Sequence, residues 1–287
     1  MFGSIGPTEM ILLLLIAVIV GVPVVIAHLF NKRYKRSGGN KPTNEQQMAS
    51  FSSPEAVGTW AKGLLVASLV LAVVAVISGL LQVELLSRLA EGSNYTMEEV
   101  AQNDSRQGLI GIFQVLLWIG TAVAFLIWFH RVNKNLPSLG QTGLIFTPGW
   151  AVGFFFVPFF NLVRPFQAMR AAWHGSDPSR MGLDFTSHRT DFGSRLGTPA
   201  LVEWWWALFL ISNFIVNAAG RLLLSQKTAT GLQSGSSLMV LSDLLEIPSA
   251  LVAIRLVGHL TRWQVEKEKL ISQQGAQVAT APLVSPQ

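Results

Sequence analysis

The sequence has no cysteine in its 287 residues, which removes disulfides, thiolate metal ligands and cysteine nucleophiles together. Charge is scarce as well. Lys, Arg, Asp and Glu make up 13% of the chain, about half of the roughly 25% found in soluble domains, too little to coat a water-facing surface. The patterns GxxxxGK[ST], GxSxG, HExxH and GxGxxG are absent, so the common nucleotide, acyl-transfer and metalloprotease sites are not expected. The five histidines (His28, His130, His174, His188 and His259) are scattered without metal-ligand spacing, and neither metal nor cofactor is expected. His188, Asp184 and Asp191 share one polar loop and read as solvated side chains. With no nucleophile–base pair in view, the chain reads as non-enzymatic.

What the chain has instead is apolar length. Half of its residues are hydrophobic, and its mean hydropathy is +0.44. Several runs reach the roughly 20 residues that a helix needs to cross hydrocarbon. Residues 10–30, 64–83 and 109–129 carry no formal charge. Residues 207–224 contain only Arg221, and 238–260 contain Asp243, Glu246 and Arg255. No β-barrel alternation appears, so the spans are expected to be helices that satisfy their own backbone groups. The lipid bilayer is thus the first partner. The net charge of +5 reads as an orientation signal, not a nucleic-acid footprint.

Residues 1–30 form an expected N-terminal transmembrane anchor: the opening MFGSIGPTEM lacks Lys and Arg, and the positives follow the run in NKRYKR. The first 20 residues resemble the start of A-type twin-arginine translocase subunits, with Gly-rich polar residues and Glu9 ahead of a short apolar helix. The resemblance stops at GVPVVIAHLF. Residues 31–59 are polar and read as a flexible cytoplasmic linker. A helical membrane bundle is expected over 60–270, then a disordered tail over 271–287.

The stretch PGWAVGFFFVPFFNLVRP (148–165) decides the topology. If it spans, there are six crossings, and lysines and arginines divide ten against ten. If it enters and turns back, there are five, and only Arg88, Arg106, Arg221 and Lys227 lie outside. Sixteen then lie inside, with Arg255 inside a helix. Charge bias favours the second arrangement. Pro158 interrupts the stretch and Asn161 suits lipid poorly. Eight of the nine tryptophans then fall near the inner interface, with Trp118 mid-helix. The expected fold is therefore all-α: a polytopic helical membrane protein with five transmembrane helices plus a re-entrant or interfacial helical segment, the alternative being six transmembrane helices. After Pro165, Phe166, Met169 and Trp173 form an apolar stripe, with Gln167, Arg170 and His174 on another face, as in a helix lying on the inner leaflet. The outer loop, 86–107, is acidic.

Three segments carry a family resemblance. WFHRVNKNLPSLG (128–140), TPGWAVGFFFVPFFNLVRPFQAMRAAWHGSDP (147–178) and EWWWALFLISNF (203–214) resemble bacterial membrane proteins grouped as domain of unknown function 4328. The shared residues are Trp128, Arg131, Asn135, Leu139-Gly140, Pro148, Trp150-Ala151-Val152, Pro158, Asn161 and Pro165. The resemblance covers residues 60–265 and implies a multi-helix bundle in the bacterial cytoplasmic membrane, with no activity attached.

Polar residues within the last two helices are the remaining candidates, since charge in a membrane usually meets a partner or a cavity. If these helices are antiparallel about residue 231, level partners have numbers totalling about 462. Arg221 then lies level with Asp243, and Glu203 with Arg255 as a structural ion pair. Asn213, Asn217, Arg221, Asp243 and Glu246 form a candidate intramembrane polar site. A scaffold or regulatory module whose basic inner face meets anionic inner-leaflet lipid is the leading function. A small transporter or channel using that polar site is the alternative.

Overall fold

A computed structural model describes residues 51–92, 94–141, 144, 146–181, 199–225 and 228–280. The first apolar run, most of the expected linker, residues 182–198 with His188, and the last seven residues lie outside the described residues. Among the described residues, four helices are long and apolar enough to cross a membrane: α1 (Glu55–Ala90), α2 (Met97–Asn135), α5 (Ala200–Ser225) and α6 (Ala229–Thr280). No strand occurs among the described residues.

These helices overrun their apolar cores, because backbone hydrogen bonding does not stop at the edge of hydrocarbon. The acidic loop expected over 86–107 shrinks to residues 91–96. Helix α2 begins on a capping box: Glu99 N–H donates to Thr96 Oγ1 at 3.1 Å, and Thr96 N–H donates to Glu99 Oε2 at 2.9 Å. At the other end, α6 stays helical to Thr280, so residues 271–280 are not the disordered tail expected of them.

Helix α1 packs against both α2 and α6, and α6 packs against both α1 and α5. The buried stripe of α1 runs through Gly58, Ala61, Ser68, Ala72 and Ala75. Small side chains let helices approach closely, which is how membrane helices gain contact without a hydrophobic driving force. At Gly79 an added Cβ would come within 2.5 Å of Val240 on α6, so that crossing has no room for a side chain.

Chain direction gives the bundle two ends. At the basal end α1 and α5 begin, α2 finishes and α6 leaves; at the distal end α1 and α5 finish and α2 and α6 begin. The basal core is aromatic. Phe125 and Phe129 of α2 meet Phe155, and Phe125 stacks on Trp205 of α5 at 5.8 Å. Trp128 is fully buried, and Trp205 and Trp206 nearly so. These tryptophans pack the core instead of lining an interface, whereas Trp60, Trp150 and Trp204 are exposed.

Residues 148–163 do not form a spanning helix. Thr147 caps α3 (Pro148–Gly153), a helix of 6 residues with proline in its first turn. The chain then turns repeatedly, with Phe159 at φ 64°, and passes through a short 3-10 turn, Phe160–Leu162. It continues into α4 (Arg164–Ser176). No continuous helix runs through this stretch. The segments on either side of the stretch also meet a single side chain: Gln264 Nε2 donates to Val132 O at 2.9 Å and to Ser176 Oγ at 3.0 Å. The stretch leaves the basal end and returns to it.

Candidate functional site

The basal end holds a buried polar network built from four parts of the chain. Asn135, the last residue of α2, is fully buried, and Ser52 N–H donates to its Oδ1 at 3.1 Å. Its Nδ2 donates to Ser52 O at 2.8 Å and to Gln264 Oε1 at 3.0 Å, so both amide hydrogens are used. With Val132 O and Ser176 Oγ taking both Nε2 hydrogens, Gln264 is satisfied too. Trp128 Nε1 donates to Thr261 Oγ1 at 3.0 Å, and Arg131 donates to Ser53 O at 3.2 Å. The reciprocal Asn135–Ser52 pair places the start of the bundle at residues 51–55, not at 60, and takes residues 52–59 out of the linker.

Beside this network lies a cluster of titratable groups. Lys267, past the apolar part of α6, is 1% exposed and donates to Gly175 O at 2.9 Å. Burial pulls its pKa below the usual lysine value. Asp177 pairs with Arg180 at 3.2 Å. Burial alone raises its pKa, but hydrogen bonds from Ser179 and Arg180 outweigh that and hold it below the usual value. His174 is 2% exposed, and neither ring nitrogen has a hydrogen-bond partner among the described residues. The sequence placed His174 on the polar face of an amphipathic helix. In the structure α4 turns His174 inward with Ala168, Met169 and Ala172, because it packs on the bundle as well as beside it. Burial, with Arg180 and Arg170 adding repulsion, lowers its pKa from 6.5 to about 4, so the ring is neutral at pH 7.

The candidate site on the last two helices is arranged otherwise. The level arithmetic holds: Ser212 of α5 meets Ser249 of α6 at 3.5 Å, and those numbers total 461. The pairings fail because the side chains point elsewhere. Arg221 lies nine residues, about two and a half turns, beyond Ser212, which puts it on the far side of α5. Asp243 accepts from Gln114 Nε2 of α2 at 2.8 Å instead. Glu203 and Arg255 are both exposed, and among the described residues the ion pairs are Arg88–Glu99 and Arg180–Asp177 alone. Asn213 and Asn217 are exposed as well, each amide donating one turn back, to Phe209 O and Asn213 O at 2.7 Å. Glu246 lies one turn from Asp243 and is half-buried. Two residues on, Pro248 offers no N–H, so the Leu244 carbonyl loses its usual helical donor. The five candidates therefore divide into an acidic pair with Gln114 and an outward stripe on α5. No group of three metal-ligating side chains occurs among the described residues.

The profile of a domain of unknown function, DUF4328, matches residues 91–262, more than half of the chain. The chain belongs to this family. No curated protein and no solved structure matches the chain significantly. The DUF4328 match takes in α2 to α5 and most of α6, whereas α1 and the first 20 residues, with their translocase likeness, fall outside it. Trp128, Arg131 and Asn135 are members of the basal network. Gly140 has φ 82°, a backbone state that glycine adopts without strain, and it ends the turn after α2. Pro148 starts α3 next to exposed Trp150, Pro158 and Asn161 lie in the returning stretch, and Pro165 starts α4. The sequence reading missed Thr261, Gln264 and Lys267. Their spacing of three along a helix leaving the membrane was the available signal, since it sets polar groups on one side.

Proposed function

We propose that this chain is a non-enzymatic membrane module of the bacterial cytoplasmic membrane, a scaffold or regulatory partner whose basal end faces the cytoplasm. The observation that carries this reading is the closed basal network: Ser52, Asn135, Ser176 and Gln264 lock four segments into one rigid end. Orientation rests on the charge count, 16 lysines and arginines inside against four outside with five crossings. The returning stretch supports a lipid-facing role for this end. Phe159, Phe160, Leu162 and Val163 are exposed, and Arg164 lies 5.5 Å from the Phe146 ring and 5.8 Å from that of Phe160. An apolar tip beside a cation suits the headgroup boundary of an anionic leaflet. Reconstitution in phosphatidylglycerol nanodiscs should give a higher thermal midpoint than in phosphatidylcholine, and Arg164→Gln should reduce the difference. Equal midpoints in the two lipids contradict this role.

A second reading, a small ion or proton transporter, is favoured by Asp243 and Glu246, which sit one turn apart with Gln114 as donor and no basic partner within ion-pair distance among the described residues. It predicts a proton or cation flux in proteoliposomes that Glu246→Gln abolishes without lowering the thermal midpoint. The scaffold reading predicts no flux above protein-free liposomes.

A further inference from the structure

We infer that the groove between α1 and α2 holds an acyl chain of a phospholipid whose headgroup carries an ammonium beyond its phosphate, with Arg106 on the phosphate and Glu84 on the ammonium. The groove encloses about 670 Å³, within the ~300–1,000 Å³ of ligand sites. Its walls are apolar, formed by Leu71, Val74, Ile77, Leu81, Leu109 and Phe113. Leu81 lies ten residues beyond Leu71, ~15 Å of helix, which is half of the ~30 Å hydrocarbon thickness. The groove therefore has the depth of one leaflet. Its distal end lies where the uncharged runs 64–83 and 109–129 stop.

The head end is set by Arg106, which lines the same groove. Its Nε donates to Ser78 Oγ and its Nη2 to Asn103 Oδ1, each at 2.8 Å. These bonds fix the guanidinium and use two of its five N–H groups. No carboxylate lies within ion-pair distance of it among the described residues. Asp104, two residues away, sits ~200° round α2 and is exposed. A held guanidinium at the edge of hydrocarbon, with donors left over, suits a phosphate, which takes such donors in pairs.

Charge beyond Arg106 selects the rest of the headgroup. Residues 84–106 hold Glu84, Glu91, Glu98, Glu99 and Asp104 against Arg88 and Arg106, so this rim repels a lipid of net negative charge. Ile77, Leu81 and Glu84 follow at helical spacing, which puts Glu84 on the groove's stripe, one turn beyond Leu81. It is exposed, and ~9 Å of helix separates it from Ser78, the residue that holds Arg106. Going outward, the protein presents apolar wall, cation and anion. The matching lipid presents acyl chain, phosphate and ammonium. A second copy docked here about a twofold axis sets Arg106 level with Arg106.

The test uses the full chain in a mild detergent, mixed with equal amounts of phosphatidylethanolamine, phosphatidylglycerol and phosphatidylcholine, with the retained lipids read by native mass spectrometry. Val74→Trp fills the groove from an exposed position. The lipid that this variant fails to retain is the lipid of the groove, whatever the basal end holds. That lost lipid should be phosphatidylethanolamine, about fivefold over each of the others. Glu84→Gln should abolish the preference, and Arg106→Gln should lower phosphatidylethanolamine retention about fivefold. If Arg106→Gln fails to fold, Glu84→Gln and Val74→Trp, both at exposed positions, carry the test. No lipid lost in Val74→Trp, an equal loss of all three, a loss chiefly of phosphatidylglycerol, or a preference kept in Glu84→Gln overturns the inference.

Discussion

At the basal end, Asn135, Ser176, Gln264 and Lys267 turn their polar atoms into the core, and each finds a partner on another segment. On the distal half of α5, Asn213, Asn217 and Arg221 turn outward, and the two amides bond only to their own helix. The two regions are similar in polarity and opposite in consequence. A polar residue in a membrane helix earns structural weight from the direction it faces, not from its depth alone. The same contrast separates Asp243, which reaches Gln114 on α2, from Arg221 at almost the same level.

Breaking the basal network should have the largest effect. Gln264→Leu strands the Asn135 amide and the Ser176 hydroxyl in a fully buried site, and a loss of ~3 kcal/mol is expected in thermal or chemical unfolding in detergent. Asn135→Ala should cost a similar amount, and the double variant less than the sum, because the two share one hydrogen bond. Additive losses would mean that the network is not a unit.

Acid sharpens the comparison next. In the unfolded chain the His174 ring takes a proton near 6.5, but in the fold only near 4. Between those values the unfolded state binds more protons, so stability falls as pH drops through the window and levels off below it. The loss is bounded at about 3 kcal/mol. His174→Leu should flatten the midpoint between pH 6.5 and 4. An unchanged slope in that variant would place the acid sensitivity elsewhere.

Two double-mutant cycles give the smallest effects. Gln114→Leu with Asp243→Asn should show a coupling of ~1 kcal/mol. Arg221→Ala with Asp243→Ala should be additive within about 0.5 kcal/mol, since the two face different neighbours. A large second coupling would restore the ion pair expected from helix level alone.

Helix existence and level were legible in the sequence because both follow from the count of apolar residues and the fixed rise per residue. The break in the 148–165 stretch was legible as well, through Pro158. Rotation was not. Level arithmetic sets Arg221 beside Asp243, but the side that α5 turns to α6 is set by Ser212, Ala219 and Leu223, which give no distinctive signal in so apolar a run. His174 was misplaced for a related reason. An amphipathic pattern shows two faces, but a short helix docked on a bundle can bury part of each. Extensions beyond the membrane were underestimated, since the run of apolar residues marks hydrocarbon and not the end of the helix.

The central claim is that the chain leaves the basal end at residue 136 and returns to it by residue 176 without crossing. Single cysteines at Ser138 and Ser179 of the otherwise cysteine-free full chain test it with a membrane-impermeant thiol reagent, applied to right-side-out and then inside-out vesicles. Both positions should label only in inside-out vesicles. Labelling of the two from opposite sides would mean that residues 148–163 cross the membrane, and would contradict the account.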